Sequence, residues 1–200
     1  MILDNIRHWF FHYEMKRCLP QLNTTRQPEF ISYKAAQSFL ILYESDWTEQ
    51  NKALQHHVDT LIADGKRVTL CGYVQKPKAL SSTLPHSIMI DRGDLNPLLL
   101  KPLPKVINEV MNRHFDILIN LAAPNCLPLR YMLLYANASM KCGTRNTDTE
   151  LFDFILDISN LETEQNSSED HNNTELQKQT STNKSEMVYT QIIQFLKTMK

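Results

Sequence analysis

The sequence predicts an α/β fold: a three-layer sandwich whose mostly parallel, five-stranded, Rossmann-like sheet carries helices on both faces. Three observations lead there. Short apolar segments recur along the first 160 positions, helix-patterned segments alternate with them, and several of the short segments are apolar on every residue. A strand with one wet face alternates apolar and polar residues. One that is apolar throughout has both faces covered, as in a parallel sheet between helix layers.

Residues 2–19 place Ile2, Ile6, Trp9, Phe10 and Tyr13 in one helical stripe, with His8, His12 and Lys16 on the opposite side, and Pro20 ends the pattern. The segment "SFLILYE" (38–44) reads as a buried strand. Ser45 or Asp46 can cap the helix that follows, Glu49 suits its first turn, and Leu54, Val58, Leu61 and Ile62 form its inner face. Gly65 supplies a left-handed stop, and "RVTLCGYV" (67–74) is the second strand of a right-handed βαβ unit.

"SIMID" (87–91) is the third strand. The connection into it shows no helix, so an antiparallel orientation is open. A helix from near Pro104 turns Ile107, Val110, Met111 and His114 to one side, and "DILINLA" (116–122) is the fourth strand. A helix apolar nearly all round is expected from about Pro128 to Cys142, with Gly143 ending it, and "LFDFILDIS" (151–159) is the fifth strand. The expected strand order is 3-2-1-4-5.

Residues 160–186 hold Leu161 and Leu176 as their large aliphatic residues. Ordering a residue costs about 1–2 kcal/mol of backbone entropy, and this segment has little to bury in return. It is expected to be a flexible polar insertion in a single α/β domain made of 1–159 and 187–200. Ser185 then caps a last helix carrying Val188, Ile192, Phe195, Leu196 and Met199 on one face.

With 21 basic and 22 acidic residues the chain is nearly neutral, which argues against nucleic-acid binding. Cys18, Cys71, Cys126 and Cys142 are far apart and form no C-x-x-C pair, the pattern of free thiols in a reducing compartment. The charged N-terminus does not read as a signal peptide, and no run approaches the roughly 20 apolar residues of a membrane span. The sequons at Asn137 and Asn166 read as chance. The expectation is a soluble cytoplasmic protein with no cofactor and no metal.

In open α/β sheets, ligands gather outside the carboxyl ends of the strands, where strand order reverses. That rule nominates Glu44, Ser45 and Asp46 after the first strand, Asp91 and Arg92 after the third, and Ala122 to Asn125 after the fourth, Asn125 being the ligand-binding residue among them. Gly72 lies close by. The competing expectation is that these are ordinary caps and turns. The four glycines, Gly65, Gly72, Gly93 and Gly143, are too scattered for G-x-G-x-x-G or a P-loop.

His8 and His12 lie four apart without the Glu of a zinc-protease helix, so solvent exposure is expected of them. His56 and His57 point to different sides of their helix. His114 reads as a packing residue bonded to a carbonyl. Cys71 and Cys126 lack a neighbouring base, and Asp91 and Asp157 are the strand-end carboxylates that could serve as acid and base. Catalytic residues are therefore unassigned.

The leading expectation is a non-catalytic domain that binds an unknown protein or small molecule. The first alternative is a small enzyme or a nucleotide or sugar-phosphate binder with its site at the strand ends. The second is peripheral membrane association through the Trp9-Phe10-Phe11 cluster. For that helix, packing of the stripe against the sheet of its own domain is the favoured expectation.

The phrases "SFLILYE…W", "DLN", "FDILINLA", "LPLRYM" and "ASMKCG" resemble a family of small bacterial α/β proteins catalogued only as domains of unknown function. The resemblance covers most of residues 1–160 and the last helix, and it implies no catalytic residue. Over about thirty residues, "FDILINLAAP…LLYANASMKCGTR" also resembles the N-terminal half of heptosyltransferase-type glycosyltransferases. That likeness implies a strand, a buried helix and a return turn. The chain is too short to hold the nucleotide-sugar half of such an enzyme.

Overall fold

A computed structural model describes residues 2–26, 28–44, 52–75, 87–145, 148–158 and 174–199. Six strands form one sheet: β1 (Ser38–Glu44), β2 (Arg67–Tyr73), β3 (Ser87–Ile90), β4 (Phe115–Asn120), β5 (Ala138–Thr144) and β6 (Phe154–Leu156). The α-helices among the described residues are α1 (Ile2–Thr25), α2 (Lys52–Ala63), α3 (Pro104–Met111), α4 (Leu127–Tyr135) and α5 (Thr174–Thr198). The order is β3-β2-β1-β4-β5-β6, and every pairing is parallel, β3 included.

The two-sided apolar pattern of the strands has a direct counterpart in packing. Side chains alternate across a strand. In β1, Leu40 and Leu42 therefore enter the core beneath α3 and α4, while Phe39, Ile41 and Tyr43 enter the core beneath α2 and α5. Leu54, Val58 and Leu61 of α2 meet Val188, Ile192 and Leu196 of α5 in that second core. Ile62, expected on the inner face of α2, is exposed. Gly65 does stop that helix. It sits at φ 75°, and the Gly65 and Lys66 amides return to the carbonyls of Ile62 and Leu61, both at 2.9 Å.

Four expectations change. The first concerns the helix expected over Pro128–Cys142, which ends at Tyr135; the chain turns through Ala136 and Asn137 and continues as β5. Gly143 is thus a strand residue packed against Phe152, and the segment expected as the fifth strand supplies the sixth, over Phe154–Leu156. β5 carries the buried amine of Lys141. Its Nζ donates to the Leu133 carbonyl at 2.7 Å, satisfying the open C-terminal turn of α4.

Secondly, α5 begins at Thr174, so the backbone of 174–186 is helical where a flexible insertion was expected. The rest of that insertion, 160–173, lies outside the described residues. Thirdly, His114 follows α3 and is exposed, with Nε2 3.2 Å from the Ser139 hydroxyl and no backbone carbonyl as partner among the described contacts.

The fourth change concerns α1. This helix lies against α4, and all eight residues 127–134 of α4 are buried. Its inward side chains are Phe11 and Met15, joined by Glu14 and His8. The stripe expected to pack inward faces out: Ile2, Ile6, Trp9 and Tyr13 are all exposed.

Candidate functional site

Strand order reverses between β1 and β4. Helix α2, after β1, covers one face of the sheet and α4, after β4, covers the other, the arrangement that in open α/β sheets marks the place for a ligand over the carboxyl ends. Register then decides which side chains line it. Glu44 and Tyr73 are paired ends of β1 and β2, and Asn120, the last residue of β4, pairs with Leu42. Gly72, next to Tyr73, is required by close packing: a Cβ there would lie 2.8 Å from the Tyr43 ring and 2.9 Å from the Met89 sulfur.

Glu44 accepts a hydrogen bond from the Ala123 amide at 2.8 Å. Loss of solvation at the strand end pushes its carboxyl above the usual range, and that amide partly offsets the effect. The Asn120 side-chain oxygen accepts from the Ala122 amide at 3.3 Å. The amides that open the β4–α4 turn are therefore occupied by the protein's own groups.

Tyr73 is half-buried. Burial raises its pKa first, the Cys126 thiol and the Glu44 carboxyl raise it further, and the charge and hydrogen bond of Arg92 oppose them. Glu44, Tyr73, Arg92 and Cys126, from four different parts of the chain, thus share one electrostatic environment. Arg92 reaches it from the 3₁₀ turn Arg92–Asp94 after β3. On the α5 side, the Ser185 hydroxyl donates to the Leu121 carbonyl at 3.4 Å and brings that helix to the rim.

Of the residues nominated from sequence, Glu44 and Arg92 both act on the Tyr73 hydroxyl, in opposite directions. Asp91 caps the 3₁₀ turn, accepting from the Gly93 amide at 2.7 Å, and Asn125 sits exposed in the turn before α4. Ser45 and Asp46 lie outside the described residues. Tyr73 and Asn120 were not singled out, because both looked like core strand ends.

The remaining nominations fall into structural roles. Asp91 follows β3 at one edge of the sheet and Asp157 follows β6 at the other, roughly 24 Å apart at the usual strand spacing, so they do not form an acid–base pair. Asp157 faces Arg145 at 3.2 Å on the surface. Burial drives the Cys71 and Cys126 thiols far above their ordinary range, and Cys142 is pushed up to about 12, the opposite of an activated nucleophile. His57 stacks on Tyr189 at 4.1 Å, away from His56.

His8 is half-buried and enters a polar network between α1 and α4, whereas the His12 side chain stays 40 % exposed at its rim, 4.0 Å from Asp148. Arg130 of α4 makes a buried two-point ion pair with Asp148, Nη2 to Oδ1 being 2.6 Å. His8 Nδ1 lies 2.9 Å from Arg130, and the guanidinium sits 4.2 Å from the centre of the Phe11 ring. Buried Glu14 accepts from both Lys101 and Tyr135. Among the described residues, no group of three His, Cys, Asp or Glu is placed to hold a metal ion. No described helix is long and apolar enough to cross a membrane.

A model of a family of unknown function, DUF6913, matches residues 7–172. The chain belongs to that family. No curated protein matches the chain, and no solved structure matches it. The matched residues span all six strands and include Glu44, Tyr73, Arg92 and Arg130, and the match carries no activity over to any of them.

Proposed function

We propose that the chain is a non-catalytic binding domain whose ligand occupies the crevice over the carboxyl ends of β1, β2 and β4. One observation carries this reading: Glu44 and Tyr73 are paired ends of β1 and β2, next to the point where strand order reverses, and Arg92 after β3 acts on the same Tyr73 hydroxyl. The chemistry suits a small polar molecule. Arg92 offers a cation to an acidic group, Tyr73 a hydroxyl, and Glu44 an acceptor for a ligand hydroxyl or amine. Because the Ala122 and Ala123 amides are already satisfied, recognition rests on side chains rather than on a backbone phosphate cradle.

A thermal-shift panel of sugar phosphates, nucleotides and small carboxylic acids tests the proposal. A compound at 100 times its dissociation constant adds about 2.7 kcal/mol, a shift of several degrees for a domain of this size. The shift is expected to vanish in Arg92→Ala and weaken in Tyr73→Phe. A shift that persists in both variants places the ligand elsewhere. The upward-shifted Glu44 carboxyl supports a second reading, an enzyme with Glu44 as proton donor. In that case Glu44→Gln would keep the thermal shift of a panel hit and abolish its turnover.

A further inference from the structure

Helix α1 is inverted with respect to its own domain. Its inward side carries Glu14 and His8, bonded to Lys101, Tyr135 and Arg130, beside Phe11 and Met15. Its outward side carries Ile2, Ile6, Trp9 and Tyr13, which are 79, 48, 66 and 55 % exposed. Surface helices of monomers present the reverse arrangement. On another side of α1, the carbonyl of exposed Leu98 accepts from Arg7 Nε at 2.9 Å.

The spacing of the stripe is informative. Steps of four, three and four residues are those of a helix–helix seam. The stripe also has a twofold pattern, because 2 plus 13 and 6 plus 9 both equal 15. Run antiparallel against itself, it sets Ile2 opposite Tyr13 and Ile6 opposite Trp9. Trp9 and Tyr13 stack at 5.8 Å and 13°, making a flat aromatic plate of the size that two isoleucine side chains cover. Each helix thus has an aliphatic half and an aromatic half, and the antiparallel pairing joins unlike halves.

Charge agrees. The seam positions are uncharged, and the exposed Lys16 and Arg17 fall beyond residue 13, past the end of the paired segment. An anionic membrane is a poorer match: recruitment takes about four to eight clustered Lys or Arg, and the exposed side of α1 has these two.

We propose that α1 is a self-association surface, pairing antiparallel with α1 of a second copy through Ile2, Ile6, Trp9 and Tyr13 about a twofold axis that passes between Ile6 and Trp9. Such isologous pairing is the commonest symmetry of soluble oligomers. Side chains of this size in two copies bury about 1,000 Å² in total, the lower end for a specific interface, so a reversible dimer of micromolar affinity is expected.

Sedimentation velocity of the full chain from about 5 to 500 μM reads the association directly. The expected result is a concentration-dependent dimer that Trp9→Glu and, independently, Tyr13→Glu return to monomer with unchanged far-UV circular dichroism. Register is read by oxidative cross-linking in a Cys18→Ser background. Positions 2 and 13 of one helix are about 16 Å apart and cannot bridge, so an Ile2→Cys/Tyr13→Cys chain is expected to give a disulfide-linked dimer, and Ile2→Cys alone is not. A monomer at the highest concentration overturns the proposal, as does a dimer that survives both glutamate variants. Efficient cross-linking of Ile2→Cys alone overturns the antiparallel register. A monomeric wild type that floats with phosphatidylserine vesicles overturns it in favour of a lipid surface.

Discussion

Two polar clusters in this molecule are built on opposite terms. Beneath α1, Arg130, Asp148, Glu14 and Lys141 are all buried, and each has charged or hydrogen-bonded partners. At the carboxyl edge, Glu44 and Arg92 are solvent-accessible and Tyr73 is half-buried. The physics differs accordingly. A buried ion whose partner is removed keeps its desolvation penalty, whereas an exposed ion falls back on water. The first cluster therefore holds α1 and the 148 turn against α4, and the second can change partners at little cost to the fold. A ligand requires that property.

Breaking each cluster in turn should display the contrast. Asp148→Ala strands Arg130 in the core, and a loss of about 3–5 kcal/mol is expected from urea unfolding. A smaller loss, near that of an exposed pair, would mean that Arg130 can reach solvent.

Lys141 allows a test by pH. Burial first, and the charge of Arg26 second, lower its pKa from 10.5 to about 7. Between those values the unfolded chain binds a proton that the folded chain has released, so this group makes stability rise with pH. Its destabilising effect is complete below pH 7 and fades toward 10.5. Unfolding curves between pH 7 and 8.5 should show wild type gaining on Lys141→Met; parallel curves would mean that the amine keeps its proton in the fold.

Removing an unpaired group tests the same rule in the opposite direction. The Tyr131 hydroxyl is buried without a hydrogen-bond partner among the described residues. Tyr131→Phe is expected to raise stability, by up to about 1 kcal/mol, while preserving the edge-to-face contact with Phe11. Smallest of all should be Arg92→Ala and Glu44→Gln at the crevice, each within about 0.5 kcal/mol of wild type in the same urea assay. A large loss in either would make the crevice a structural cluster like the other one.

What the sequence discloses of the fold follows from which forces are local. β1, β2 and β4 are apolar on both faces, and that alone places them at the centre of a parallel sheet. Gly65 announces its turn through a backbone requirement that no neighbour can alter. β5 is silent because Ala138, Ser139, Met140, Lys141 and Cys142 include no β-branched residue, and a lysine argues for the surface. Only the three-dimensional meeting of its amine with the Leu133 carbonyl resolves it. The stripe on α1 was visible in the sequence, but periodicity identifies a face without saying what it touches. Phe11, Met15 and Glu14 take the inside, and the more apolar side is left outside. For the proposed crevice, the reversal rule nominated Glu44 and Arg92, and strand register added Tyr73, which its own neighbours in sequence present as an ordinary core residue.

The sheet ends in its two shortest strands, four residues in β3 and three in β6. A foreign strand seeking open amides and carbonyls at either border finds barely one repeat of a ladder to copy. Growth of this protein by edge-to-edge stacking of these two strands is thereby disfavoured.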